Sequence, residues 1–135
     1  MKSRYPHRSL VGALGITCLL SFGSNAQRYF DEPLVVEMIV AAVVTANKCG
    51  ELIPEWKPSI DKLLVESRLL RLRIPGLEES LLPHSAIRKD HERKLDAVAP
   101  NTRKQDIQMN CEEVIVTLAK PEKIFPAEFW AKYER

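Results

Sequence analysis

Three cysteines have the most definite chemistry in this sequence: Cys18, Cys49 and Cys111. Cys49 and Cys111 are 62 positions apart, which is far from the spacing of a Cys-x-x-Cys redox motif. Two thiols that reach an oxidising compartment usually pair, and in the chain-entropy description closing such a loop contributes about 4 kcal/mol. We predict a Cys49–Cys111 disulfide, and this prediction depends on where the protein is located.

The first 26 residues have the three-part layout of a secretory signal peptide. Basic residues come first, an apolar run of 13 residues follows at 10–22, and small residues precede position 27. A membrane-spanning helix needs ~20 apolar residues, so a permanent anchor fits less well. We predict cleavage between Ala26 and Gln27, which removes Cys18. The remaining residues 27–135 would have no stable membrane span and would lie in the bacterial periplasm or, alternatively, outside the cell.

The charge balance argues against a nucleic-acid partner. The whole chain has 20 Lys and Arg against 18 Asp and Glu, a net charge of +2. Three of these basic residues and no acidic ones lie in the predicted leader, so residues 27–135 have 17 minus 18, or −1. A near-neutral surface creates no long-range field for nucleic acid. We interpret the cluster Arg68, Arg71 and Arg73, with acidic residues nearby, as a solvated helix face.

His84 and His91 are the only histidines beyond the predicted leader. Their spacing of seven residues corresponds to roughly 10 Å along a helix, too far for one tetrahedral metal ion. Asp90 and Glu92 flank His91 but point to other faces of a helix, so neither can orient its imidazole. We predict no metal or cofactor and interpret His91 as a partly buried side chain in a thin apolar face. An enzyme with a site around His91 is the alternative.

No other catalytic motif is recognisable in the sequence. The patterns G-x-S-x-G, H-E-x-x-H and the P-loop are absent. Beyond the predicted leader only Gly50 and Gly76 could give the backbone freedom that a phosphate-binding loop needs. Adjacent carboxylates such as Glu112 and Glu113 diverge on a helix. We therefore predict no catalytic residues.

The elements that would position these residues are helices, because prolines divide residues 27–135 into segments of helical length. We predict an all-α single domain with about four helices, a short C-terminal helix and one disulfide. Residues 32–50 form a central helix, since apolar side chains cover most of its surface. Residues 84–100 form an outermost helix, and a fourth helix begins at Thr102 with a capping box to Gln105.

Residues 58–76 are predicted as one continuous second helix with two apolar stripes. The first stripe faces the central helix. Val65, Leu69 and Leu72, at i, i+4 and i+7, form a second stripe on roughly the opposite side. A helix with two apolar sides is either sandwiched within its own domain or shared with a partner. We favour the sandwich and keep a partner or homodimer contact as the alternative.

The C-terminal segment, residues 121–135, concentrates aromatic side chains. Phe129, Trp130 and Tyr133 are residue types found both in cores and at interface hot spots. These three residues and the second stripe are our candidate partner-binding residues.

These features lead to a functional hypothesis that rests partly on exclusion. We hypothesise a small exported, non-catalytic module that binds another macromolecule, with a protein as the expected partner. It would act as an inhibitor, immunity-type protein, chaperone or accessory subunit. Besides an enzyme, a carrier of a small apolar ligand is an alternative, with the valine-rich first helix lining a cavity.

Overall fold

The structure is a computed structural model that describes residues 30–134, so the predicted leader and its cleavage site lie outside the described residues. All regular structure in the described range is helical, with no strand. The six α-helices are α1 (Glu32–Leu52), α2 (Lys57–Glu66), α3 (Leu77–Ser80), α4 (Ala86–Val98), α5 (Lys104–Ala119) and α6 (Ala127–Tyr133). The prediction of a small all-α domain with a disulfide is confirmed.

Helix α1 is the central helix, as predicted. The side chain of Asp31 caps its N-terminus by accepting a hydrogen bond from the N–H of Leu34 at 3.3 Å, and Pro33 lies where a first turn needs no N–H. Helices α2, α4 and α5 all pack against α1. By length and composition α1 could also cross a membrane, with a mean hydropathy of 1.4, but 72% of that window is buried inside the fold. Its apolar surface is therefore covered by the chain's own helices.

The predicted disulfide joins α1 to α5. Cys49 lies in the last turn of α1 and Cys111 in the middle of α5, with an S–S distance of 2.08 Å and a Cα–Cα distance of 5.8 Å. Both distances are ordinary for this bond. Both cysteines are buried in the hydrophobic core, and the predicted pairing of Cys49 with Cys111 is confirmed.

The second predicted helix is wrong in its second half. Helix α2 ends at Glu66, a 3-10 turn follows at Arg68–Arg71, and residues 72–74 are not helical. The break occurs at Ser67, whose backbone is extended with φ −63° and ψ 134°. The Ser67 hydroxyl donates a hydrogen bond to the carbonyl oxygen of Leu118 on α5 at 2.7 Å. A serine that finds a backbone partner outside its helix favours ending the helix there.

The predicted start of α5 is also wrong. Helix α5 begins at Lys104 with Arg103 as its N-cap, and no side chain caps the helix. The hydroxyl of Thr102 instead donates to the carbonyl oxygen of Val98, at the end of α4, at 3.0 Å. The guanidinium of Arg103 donates to the carboxylate of Asp106 in the first turn at 2.8 Å. The capping-box spacing is present in the sequence, but the N-cap is Arg103 and not Thr102, so the box does not form.

Helix α6 closes one end of the core with aromatic rings. The rings of Phe125 and Phe129 stack with their centroids 3.9 Å apart, and Phe30 meets Phe129 edge-on at 5.0 Å. The indole N–H of Trp130 donates to the carbonyl oxygen of Phe125 at 3.2 Å, which satisfies its one polar group inside the core. The short C-terminal helix is thus an integral part of the fold.

Candidate functional site

The six side chains suggested for partner binding do not form one surface. Val65 is 75% exposed. The other five are buried in the hydrophobic core: Leu69, Leu72, Phe129, Trp130 and Tyr133. The end of α2 at Glu66 separates Val65 from Leu69 and Leu72, so the second stripe does not exist as a helix face. Five of the six candidates therefore stabilise the fold from within.

His91 lies on the inner face of α4 and is 8% exposed. Neither of its ring nitrogens has a hydrogen-bond partner among residues 30–134, and its Nε2 is 3.8 Å from a carboxylate oxygen of Glu37 on α1. Burial lowers the pKa of His91 below its ordinary value, although the charge of Glu37 opposes this effect. A buried neutral imidazole that no hydrogen bond orients is poorly suited to proton transfer. His91 is thus more fully buried than the partly buried side chain that the sequence predicted.

The described residues also contain no arrangement for a metal. Within positions 30–134, no group of three or more His, Cys, Asp or Glu side chains could hold a metal ion. His84 is exposed in the turn before α4, whereas His91 is buried on the helix itself. The two histidines are seven positions apart in sequence and also lie in different environments.

A groove of about 650 Å³ lies beside the segment that follows the 3-10 turn. It is lined by residues 70–75 together with Leu77, Glu78 and Leu81. The groove is partly open to solvent and no residue of α1 lines it, so it is not the cavity beside the first helix that the carrier alternative assumes. Of the six side chains suggested for partner binding, only Leu72 lines it.

The alternation of side chains along residues 71–74 gives the groove its character. Arg71 and Arg73 are exposed, whereas Leu72 and Ile74 are buried. Arg71 is the last residue of the 3-10 turn, and the backbone becomes extended at Leu72, with φ −67° and ψ 142°. The N–H of Arg73 donates to the carbonyl oxygen of Tyr133 at 2.7 Å, which attaches this segment to the end of α6. The groove therefore combines an aliphatic floor with a basic rim.

A glycine turn supplies the rest of the lining. Gly76 has a positive φ of 86°, the one such residue among those described, and this left-handed backbone favours glycine. The N–H of Leu77 donates to the carbonyl oxygen of Ile74 at 3.0 Å. The turn leads directly into the short helix α3, which brings the exposed carboxylate of Glu78 to the groove.

The arginines of this region have two different roles. Arg68 donates two hydrogen bonds to the carboxylate of Glu134, at 2.8 and 2.6 Å, and lies 4.3 Å from the centre of the Trp130 ring. The Arg68 hydrogen bond holds the pKa of Glu134 below its usual value. Arg71 and Arg73 form no ion pair with any carboxylate of the described part. The charge of Arg71 also lowers the pKa of Glu134, after the larger effect of Arg68. Arg68 thus holds the end of the described chain through hydrogen bonds, whereas the guanidinium groups of Arg71 and Arg73 form no hydrogen bond to a carboxylate of the described residues.

The interpretation of these arginines as one solvated helix face was wrong, because residues 72–74 are not helical. A signal for the groove was present in the sequence "RLRIPG", in which Arg and aliphatic residues alternate with a period of two. A proline disfavours helical geometry in the residue before it, and Pro-Gly marks a turn. These local rules favour an extended segment over the continuation of α2.

Comparison with known proteins gives no functional lead. No model of a protein family, no curated protein and no solved structure matches this chain. The groove is therefore the candidate site on its geometry and charge alone.

Proposed function

We propose that the chain is an exported, non-catalytic module that binds another protein through the groove beside residues 70–75. The observation that carries this proposal is a groove lined by two exposed arginines whose guanidinium groups form no hydrogen bond or ion pair with a carboxylate of the described residues. Arginine is enriched at protein interfaces, and an apolar centre with a polar rim is their usual composition. The proposal keeps the binding hypothesis and moves its location from the buried aromatic residues to the groove.

Export is the second part of the proposal. The Cys49–Cys111 bond suggests an oxidising compartment, and the N-terminal 26 residues have the composition of a secretory leader. The full chain, expressed in a bacterium, should therefore be recovered from the periplasm as residues 27–135 by intact-mass measurement. Recovery of a species that retains Met1 to Ala26 would contradict cleavage and with it the proposed compartment.

The enzyme alternative gains no support from His91. The side chain is buried, its nitrogens have no hydrogen-bond partner in the described part of the chain, and it does not line the groove. A general base must reach the proton that it removes from a substrate. The binding hypothesis is favoured because its candidate surface is open to a partner.

Site-specific photo-crosslinking tests the proposed function. Glu78 is replaced by the photoreactive p-benzoylphenylalanine in the full chain, in cells that make the natural protein. We expect one protein to be crosslinked from this position, and we expect the crosslink to be lost when Arg71→Glu and Arg73→Glu are added. The same photoreactive residue at Lys94, on the exposed side of α4, is the control. Equal crosslinking from both positions, or none from Glu78, would contradict binding at the groove.

A further inference from the structure

We infer that the groove binds an extended, acidic segment of its protein partner, in which carboxylate and aliphatic side chains alternate; this inference rests on the proposed function. Arg71 and Arg73 are two positions apart and both exposed, with buried residues next to them. Arg71 ends the 3-10 turn and the backbone at Leu72 between them is extended, with φ −67° and ψ 142°, and both arginines line the same groove. In an extended acidic segment alternate side chains lie on one side, about 6.5 Å apart, so two of its carboxylates can approach the two guanidinium groups from one strand.

The chemistry of arginine favours carboxylates as the matching groups. A guanidinium presents N–H donors in a planar fork that binds a carboxylate through two parallel hydrogen bonds. Arg68 shows this geometry within the chain itself, with two bonds to Glu134. Arg71 and Arg73 follow Arg68 in sequence but lack such a partner in the described region. A ligand that supplies two carboxylates would complete the pattern.

The aliphatic part of the groove lining indicates which side chains the ligand has between its acidic residues. Leu72 and Ile74 lie under the arginine rim, and Leu77 and Leu81 form further apolar lining. In an extended ligand, the side chains between the acidic residues point to the opposite side. Aliphatic side chains at those positions would contact this lining, which adds apolar burial to the two ion pairs.

A negative charge, the carboxylate of Glu78, lies in the same groove as the two arginines. It favours a protein segment over an anionic membrane as the ligand. Juxtamembrane basic residues contribute only about 1 kcal/mol each at an anionic surface, and stable attachment uses clusters of 4–8. The groove has two arginines, and the carboxylate of Glu78 also lines it. A continuous negative surface would be repelled by Glu78, whereas a peptide can place a neutral or basic side chain there.

Fluorescence polarisation with a defined probe tests this inference. The probe is a fluorescein-labelled peptide of sequence Glu-Leu-Glu-Leu-Glu, titrated with disulfide-bonded residues 27–135 at low salt, with Lys-Leu-Lys-Leu-Lys as the reference peptide. We expect the acidic peptide to bind more tightly, and Arg71→Glu with Arg73→Glu to weaken it about ten-fold or more. Lys89→Glu with Lys104→Glu, which changes the net charge equally at two exposed positions outside the groove, should leave binding within about two-fold.

A variant that is expected to tighten binding separates a loss of binding from a loss of folding. Glu78→Lys removes the one carboxylate of the groove lining and should tighten binding of the acidic peptide. Equal binding of the two peptides, or an equal effect of the groove and control variants, would overturn the inference. Sedimentation of the wild type, but not the groove variant, with phosphatidylglycerol vesicles would assign the arginines to a membrane instead.

The two proposals can fail separately. A crosslinked partner whose contacting segment is not acidic, together with no peptide binding, would leave the binding function in place and refute the acidic ligand. Peptide binding without any crosslinked partner would support the chemistry of the groove and contradict its proposed use in the cell.

Discussion

Residues 32–50 and residues 58–76 are both predicted from the sequence as continuous helices, yet only the first range is a helix throughout. Helix α1 is surrounded by α2, α4 and α5, so its apolar positions are buried in almost any direction around the helix. The second range lies at the edge of the core, where only particular positions can be buried. A helical pattern is therefore a reliable guide in the centre of this domain and a poor one at its margin.

The buried positions of the second range show why. From the break onward the fully or nearly buried aliphatic residues are Leu69, Leu72, Ile74 and Leu77, at intervals of three, two and three. Helical spacing requires intervals of three and four, and strand spacing requires two. The leucines and isoleucine of this segment could be buried with either helical or strand spacing. The tertiary contacts at Ser67 and Arg73 decide between them.

The largest expected effect comes from a charge placed on either side of the break. Leu69→Asp should lower the free energy of unfolding by several kcal/mol, about 3 to 5, because Leu69 is 0% exposed and the carboxylate would be buried without a partner. Val65→Asp should change it by only about 0.5 kcal/mol, because that side chain is 75% exposed. Denaturant titration measures both. Similar losses of unfolding free energy in the two variants would contradict the break and support a single helix with an apolar second face.

The next effect tests the centre of the domain. Replacing both Cys49 and Cys111 with alanine should lower the free energy of unfolding by about 2 to 4 kcal/mol, since the bond closes a loop of 62 residues. Thiol titration of the unfolded, unreduced wild type should find no free thiol in residues 27–135. Two reactive thiols, or a melting temperature that reduction leaves unchanged, would show that packing alone holds α1 to α5.

A smaller effect is expected at the break itself. Ser67→Ala removes the hydrogen bond to Leu118 and leaves that buried carbonyl oxygen without its donor, which should cost about 1 to 2 kcal/mol in denaturant titration. Thr117→Ala is the matched control, because the exposed Thr117 hydroxyl bonds only to Glu113 within its own helix. If the two variants lose the same stability, the Ser67 contact does not determine where α2 ends.

The smallest expected effect is on the pH dependence of stability. It involves His91 of α4, which lies beside Glu37 of α1. Burial lowers the pKa of His91 below 6.5, so the unfolded chain binds this proton more readily than the folded protein. The stability contributed by a neutral His91 is complete above about pH 6.5 and declines as the pH falls below it.

Replacement of that histidine isolates the effect. His91→Gln should show a smaller loss of stability between pH 7.5 and pH 5.5 than the wild type. His84→Gln should behave like the wild type, because His84 is exposed. Thermal unfolding at the two pH values makes the comparison, and identical pH dependence of all three proteins would show that the buried imidazole does not control it.

Much of the fold could be predicted from the sequence because its strongest signals are local or covalent. The continuous apolar run of α1 and the pair Cys49 and Cys111 were sufficient for the central helix and its link to α5. The groove could not be predicted in the same way. It depends on hydrogen bonds between positions far apart in the chain, from Ser67 to Leu118 and from Arg73 to Tyr133. The alternation in "RLRIPG" indicates a change of backbone geometry, but it does not indicate which distant residue the segment contacts.

The aromatic residues failed as binding candidates for a related physical reason. Phe129, Trp130 and Tyr133 have the composition of an interface hot spot. Side chains that contact them come from the first described residues, Phe30 and Glu32, and from Arg68 in the 3-10 turn. Composition cannot distinguish a partner surface from a core surface when both are aromatic. The alternation in "RLRIPG" was the more informative signal, because it reports backbone geometry.

The two ends of the described chain are neighbours. Phe30 packs on Phe129, and the Tyr133 hydroxyl donates to the carboxylate of Glu32 at the start of α1. Adjacent ends make a circular permutant feasible. A short linker could join residue 134 to residue 30, with new ends opened in the exposed turn at His84. The order in which the ribosome releases the six helices could then be changed while every helix, the disulfide and the groove keep the same neighbours.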